Sequence, residues 1–348
     1  MFPVKAFAAF DASSVLAPYH FERRDLRPHD VLIDILFCGV CHSDLHQARH
    51  EWGDGIYPMV PGHEIVGKVT AIGSHVNKFA IGQTAGVGVM VDSCRECKPC
   101  TQYMEQYCVE DMTGTYNGYE RDKTTIAQGG YSTQIVCDER WVYHIADNLD
   151  AAGAAPLLCA GITTYSPLKY ANVQPGDKVA IAGLGGLGHM AVKFAVAMGA
   201  EVSLISTSPS KEADAKRLGA HHFILSSDKK EMAKHKNHFD VVLDAISADH
   251  DYGPYLKLLD LNGKLLVVGL PKDNPQVDPF ELIKNRRSMI GSMIGGTVET
   301  QEMLGFCAEK NIVSDVEVIP MQYINEAYER MLKQDVKYRF VIDMASLK

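Results

Sequence analysis

The sequence predicts a mixed α/β protein in two parts: a β-rich half with irregular loops, and a doubly wound parallel sheet. Three observations carry this. Short β-branched runs punctuated by Gly, Pro, Asn and Asp fill the chain from Val4 to about Val142. In "QPGDKVAIAGLGGLGHMAVKFAVAMGAEVSLIST" a buried strand, a glycine-rich turn, an amphipathic helix and a second buried strand follow one another, which is a βαβ unit. At 348 residues, finally, the chain exceeds the usual size of a single core.

In order along the chain, VLIDILFCGV, IVGKVTAIG and TQIVCDERWVYHI read as strands of the first part. The Ala-rich stretch AAGAAPLLCAGITTYSPLKY reads as helical. After the βαβ unit come KEADAKRLGA (helix), HHFIL and FDVVLDAI (strands), DYGPYLKLLDL (helix) and GKLLVVGL (strand), the rhythm a doubly wound sheet requires. SMIGSMIGG resumes strand character, ETQEMLGFCAEKNI and INEAYERMLKQ supply helices, and YRFVIDM is a last strand with no evident place in the parallel sheet. The expected division is 1–151 for the β-rich part, 152–292 for the parallel-sheet part and 293–348 for a return to the first.

Composition narrows the function. The chain is 46% hydrophobic and 22% charged, as a globular enzyme is. A formal net charge of -9 gives no basic footprint for nucleic acid and no polybasic membrane patch. The most apolar stretch, Val179 to Ala200, is interrupted by glycines, His189 and Lys193, so no membrane span is expected. The N-terminus lacks a signal-peptide pattern, and a cytoplasmic location, where thiols stay reduced, is the expectation.

That expectation bears on "SCRECKPCTQYMEQYC". Cys94, Cys97, Cys100 and Cys108 offer four thiolates, the number a closed tetrahedral zinc site takes. Disulfides or unliganded thiols are the competing readings; repeated CxxC spacing in a polar loop favours a structural zinc.

Gly183, Gly185 and Gly188 form GxGxxG, with Leu184, Gly186 and Leu187 between them, set between the strand KVAIA and a helix starting near His189. Without Cβ atoms the backbone can approach a pyrophosphate, and the helix N-terminus offers free N–H groups to its charge. An NAD site would place Asp or Glu at the end of the second strand. Here Ser206, Thr207, Ser208 and then Lys211 occupy that region, with no carboxylate to repel a 2′-phosphate. The expected cofactor is NADP(H). The plain reading is that the serines end a strand and Lys211 begins a helix.

The succession CGVCHSDLH, PGHEIVG, CxxCxxC with a fourth cysteine, LLCAG and GLGGLGHMAVK resembles a zinc-dependent medium-chain alcohol dehydrogenase over essentially the whole chain. EWGDGIYPMVPGHEIVG, GSMIGGTVETQEMLGFCAEKNI and DVKYRFVID are most similar to its cinnamyl-alcohol-dehydrogenase-like branch, which includes bacterial broad-range aldehyde reductases. The resemblance implies a GroES-like catalytic domain built from both chain ends, a Rossmann domain between them, and two zinc ions per chain. It assigns Cys41, His63 and Cys159 to a catalytic zinc whose fourth position stays open, Glu64 to a movable carboxylate beside it, and Ser43 and His46 to a proton relay. Cys38 it leaves to packing. For Ser43 the plain reading is the N-cap of a helix opening at SDLH.

The implied reaction is NADPH-dependent reduction of small-molecule aldehydes, aromatic and cinnamyl types included. NAD-dependent alcohol oxidation, or a zinc- and nucleotide-binding sensor without turnover, are the alternatives. Trp52 and Met90 are candidates for the substrate pocket, and Ser292 and Ile294 for the nicotinamide side of the cofactor. Plant lignin-pathway members carry a tryptophan just past the last structural cysteine. The stretch Cys108 to Tyr116 has none, which argues against monolignol specificity. The family forms dimers through edge strands of the Rossmann sheet, and a homodimer is expected here.

Overall fold

A computed structural model describes residues 1–272 and 275–347. The chain forms two compact units, one of residues 1–162 and 295–348, the other of residues 163–294. The first division falls at 162/163 and not at 151/152. The reason is local packing: the turns Ala151–Ala154 and Ala155–Leu158 lie against the strand Asp30–Val40, so they belong to the first core.

That first unit is organised by Asp30–Val40, an 11-residue strand that pairs antiparallel with Ile65–Ile72, Arg339–Asp343 and Gln134–Asp138. The sheet runs Val142–His144, Thr84–Val87, Ile65–Ile72, Asp30–Val40, Arg339–Asp343, Val316–Pro320. The final strand YRFVIDM thus has its place beside Asp30–Val40. Register matters most at the carboxyl end of that central strand: Cys38 faces Ile65 on one side and Ile342 on the other, and Val40 faces Phe340. Cys41 just past the strand, His63 and Glu64 just before Ile65, and Arg339 just before Phe340 are therefore brought to one edge.

The second unit is a six-stranded parallel sheet ordered His222–Leu225, Glu201–Ser206, Lys178–Ala182, Phe239–Asp244, Leu259–Val267, Ser288–Gly291. In sequence order this is 3-2-1-4-5-6, the dinucleotide-binding arrangement, with the strand order reversing beside Lys178–Ala182. Ala180, Ile205, Val242, Leu256 and Leu265 are among the residues buried in one core of this unit. One expected helix is shorter than read: DYGPYLKLLDL keeps only Gly253–Leu256, because Leu259 already pairs with Phe239 and starts the next strand. The Ala-rich stretch is likewise broken, by a 3-10 turn and a non-helical Cys159 (φ -132°, ψ -72°) ahead of the helix Ala160–Tyr170.

Candidate metal centres and dinucleotide turn

One ligand atom from each of Cys41, His63, Glu64 and Cys159 falls within 4.8 Å of all the others, and all four residues are buried. Cys41 caps the helix His42–Ala48, and the structure corrects the reading of Ser43 as that cap: the Asp44 carboxylate reaches back to the Cys41 N–H at 2.9 Å, so Ser43 is already helical. Ser43 lies beside Cys41, its Oγ 3.5 Å from Sγ.

Asp44, which sequence reading passed over, organises the centre. Its Oδ1 accepts from Gly62 N (3.0 Å) and faces His63 Nδ1 (2.9 Å), while Oδ2 accepts from Cys41 N and Tyr131 Oη (3.1 Å). A carboxylate at Nδ1 fixes the proton there and turns Nε2 lone pair outward. His63 Nε2 is buried and has no partner. Burial opposes a charge on His63, yet Asp44 and Cys41 raise its proton affinity well above the ordinary imidazole value. An imidazole and a thiolate facing each other in this way form a cation site, and two thiolates plus one imidazole are a zinc donor set. The residues fit the metal.

Arg339 was also missed. Its guanidinium pairs with Glu64, both groups buried. Burial pushes Glu64 up to about 7 against the pull of Arg339. Glu64 Oε2 has no partner, and a Cβ on Gly39 would overlap it at 1.9 Å, so the glycine of FCGVC is the space this carboxylate occupies. Cys38 is fully buried, with Sγ against Gly62 and Gly130.

His46 lies one turn after Ser43 on the same helix face. Its Nδ1 is 2.5 Å from Glu51 Oε2, and Trp52 stacks on its ring at 4.8 Å. Trp52 is about half exposed, and Met90 is buried in the strand Met90–Asp92.

Thiols of Cys94, Cys97, Cys100 and Cys108 form the second cluster, again within 4.8 Å, and all nine cysteines are free of disulfides. Backbone amides point at the sulfurs: Cys97 N donates to Cys94 Sγ (3.3 Å) and Cys94 N to Cys108 Sγ (3.4 Å). Amides of Val109 and Cys100 lower Cys97 to about 6. Donors aimed at thiolates favour their ionised form, the form a metal takes. Four sulfurs fill a tetrahedron, so this site too fits zinc and leaves no position for substrate.

In the second unit each glycine of the turn has its own reason. Gly183 has φ +92°; a Cβ on Gly188 would meet Gly183 O at 1.9 Å; and Gly185 faces open space. These are the tight turn, the close helix–strand packing and the backbone approach that a pyrophosphate needs. Leu184 is buried and Gly186 and Leu187 are half-buried ahead of the helix Gly188–Ala197. Lys211 reaches this turn, its Nζ donating to Leu184 O at 2.9 Å. Ser206 Oγ accepts from Ser208 N (3.2 Å), Ser208 Oγ meets Ser210 Oγ (2.8 Å), and Thr207 is exposed. A cationic and hydroxyl-lined strand end fits a phosphorylated ribose. Ser292 N donates to Val267 O (3.2 Å), and Ile294 is buried with φ +37°.

Two family models match: "Alcohol dehydrogenase GroES-like domain" over residues 27–147 and "Zinc-binding dehydrogenase" over residues 186–309. NADP-dependent alcohol dehydrogenase C 1 of Mycolicibacterium smegmatis is 53% identical over 349 residues, covering 100% of both chains. Aldehyde reductase YahK of Escherichia coli is 51% identical over 99% of each chain. Among solved structures, a cinnamyl alcohol dehydrogenase of Sorghum bicolor superposes with a TM-score of 0.95 at 44% identity, covering 99% of each chain. The matched models, identities near one half over full length and the agreement of fold together place this chain in the zinc-binding medium-chain alcohol dehydrogenase family.

Proposed function

We propose that the chain reduces aldehydes to primary alcohols with NADPH: aldehyde, NADPH and one proton give alcohol and NADP+. The observation that carries it is the buried Cys41, His63 and Cys159 cluster with His63 Nε2 unpartnered and a serine hydroxyl at its side. When bound, zinc supplies a Lewis acid for the carbonyl and NADPH supplies the hydride. The chain's own residues do the rest. Asp44 holds His63 in one tautomer. Ser43 Oγ delivers a proton to the product oxygen, and His46, hydrogen-bonded to Glu51, returns a proton from solvent. Glu64 stands by the ligand set as the movable carboxylate, anchored by Arg339.

Cys94, Cys97, Cys100 and Cys108 hold the structural zinc. NADP(H) is assigned to the turn Gly183, Leu184, Gly185, Gly186, Leu187 and Gly188, with Ser206, Thr207, Ser208 and Lys211 on its 2′-phosphate and Ser292 and Ile294 on its nicotinamide side. Trp52 is assigned to the substrate side, and its stacking on His46 supports a further role in ordering the relay imidazole. Met90 keeps its assignment to the substrate side. The range is broad, with aromatic and cinnamyl-type aldehydes included.

Self-association as a homodimer through the edge strand Ser288–Gly291 is part of the same reading; its Met289 and Ile290 are only half-buried. A cytoplasmic location agrees with nine free thiols, and no helix among the described residues is long and apolar enough to cross a membrane. The test is initial rates of NADPH and NADH oxidation with cinnamaldehyde, benzaldehyde and an aliphatic aldehyde, on protein assayed for zinc. Fast NADPH-dependent reduction with about two zincs per chain is expected; full zinc with no turnover on any aldehyde or alcohol would sink the proposal.

A further inference from the structure

The four-cysteine lobe holds a buried carboxylate that neither metal site uses. Glu105 lies between Cys100 and Cys108, is fully buried, and its carbonyl accepts the Cys108 N–H at 3.0 Å. Its side chain reaches the start of the helix Thr297–Lys310: Oε2 accepts from Thr297 N (3.0 Å) and Oε1 from Thr297 Oγ1 (2.8 Å). That helix begins at Gly296 with no side-chain cap of its own, so a residue 192 positions away in sequence supplies it. A negative charge at a helix N-terminus is favourable, and Arg140 at 3.6 Å shares it. The fit is close. A Cβ on Gly296 would meet Tyr103 O at 1.7 Å, so the lobe's backbone is seated on the helix start itself.

From there the contacts continue to the three-donor cluster. A Cβ on Gly295 would meet the Ile162 side chain at 2.6 Å, and one on Gly161 would meet Met303 Sδ at 3.5 Å. Gly161 and Ile162 directly follow Cys159 and Ala160, and Met303 is fully buried on the helix. A continuous path of packed groups therefore runs from the cysteine lobe through Glu105 and the first two turns of Thr297–Lys310 to the segment that presents Cys159.

We propose that Glu105 is a positioning residue: it makes the placement of Cys159, and so the geometry of the open metal site, depend on the folded, metal-filled state of the four-cysteine lobe. The lobe is then a support for the reaction centre as well as a local staple. This rests on the reading of both clusters as metal sites and not on the choice of substrate.

The test uses holoenzyme assayed for zinc, with Glu105→Ala, Glu105→Gln and Thr297→Val beside the parent. Gln keeps the shape and can make both hydrogen bonds, since the Thr297 hydroxyl also accepts. Thr297→Val removes one bond and spares the Glu105 carboxylate, so it carries the test should Glu105→Ala not fold. Hydrogen exchange is followed in peptides covering 157–166 and 297–304, together with visible absorption of cobalt placed in the three-donor site. Glu105→Ala is expected to speed exchange about tenfold in both peptides and to shift the cobalt bands; Thr297→Val does so more weakly, and Glu105→Gln restores most of the parent behaviour. Faster exchange confined to 297–304, with 157–166 and the cobalt spectrum unchanged, makes Glu105 a local cap only and overturns the inference. A parent enzyme without metal on the four cysteines overturns its premise instead, and the zinc assay separates the two failures.

Discussion

Asn at position 44 changes one atom of the site and tests how the open metal site is held. Asp44 meets four donors with two oxygens: Gly62 N and His63 Nδ1 at one, Cys41 N and Tyr131 Oη at the other. An asparagine keeps one acceptor oxygen. With that oxygen toward His63, the amide NH2 faces Tyr131, whose hydroxyl can rotate to accept, and Cys41 N, which cannot. Two buried N–H groups are left unpaired, that of Cys41 and the amide hydrogen facing it, at about 1–3 kcal/mol each, and the bond to His63 loses its charge assistance. Turned the other way, the NH2 faces His63 Nδ1 and favours the tautomer with its proton on Nε2, where the metal belongs. Either orientation weakens the site. The expected result for Asp44→Asn is a zinc affinity about 10- to 100-fold lower at the three-donor site, read by competition with a chromophoric chelator, while the four-cysteine site serves as internal control. Affinity within about threefold of the parent, in a protein of unchanged fold, would show that Asp44 does not orient His63 and that the reasoning from donor counting is wrong.

Other predictions address the remaining parts. Ser43→Ala should lower kcat by roughly 10²-fold or more in steady-state assays while zinc content and NADPH binding stay unchanged; near-normal turnover removes the hydroxyl from the relay. Lys211→Ala should raise KM for NADPH far more than for NADH, and equal losses with the two cofactors would dismiss the 2′-phosphate assignment. Cys100→Ser should leave about one zinc per chain and open the stretch 93–112 to limited proteolysis, which an intact digest pattern would contradict. His250 gives a pH dependence: Nε2 lies 2.8 Å from Asp244 Oδ2 and Nδ1 2.8 Å from Ala248 O, and two ring donors require the protonated ring. The bond to Asp244 raises His250 above its ordinary value of 6.5, with Asp251 adding to the effect. Folding thus favours the proton, so this stabilisation is complete below pH 6.5 and is lost as pH rises through the folded value. Denaturant unfolding between pH 6 and pH 9 should show a decline in the parent that His250→Asn flattens; parallel curves would refute the assignment.

Much of this was legible in the sequence because the informative residues are close together in it. The glycine turn and the four cysteines each occupy one short segment, so local spacing announces their chemistry. Cys41, His63 and Cys159 come from three segments, and periodicity alone does not unite them; family likeness did. Asp44 stayed hidden because an aspartate in the first turn of a helix reads as ordinary capping, and only the fold shows that its other oxygen faces His63. Arg339 reads as one cation in a strand until the register Phe340 to Val40 sets it at Glu64. Glu105 is harder still, since its partner lies 192 residues away. Helices of one turn, such as Gly253–Leu256, were overread because an amphipathic pattern runs on into the strand that follows.

The ion pair between Glu64 and Arg339 also bears on which metals the centre can take. Magnesium, calcium and manganese are hard ions that seek carboxylate and carbonyl oxygens, and two carboxylates stand next to the ligand set. Between them they leave one oxygen uncommitted. Asp44 has its oxygens saturated by four donors, and Glu64 has Oε1 paired with the Arg339 guanidinium, so that only its Oε2 is without a partner. What remains on offer is sulfur, imidazole and a single carboxylate oxygen, far short of the roughly six oxygens a hard cation takes, so the same contacts favour a soft ion at this edge.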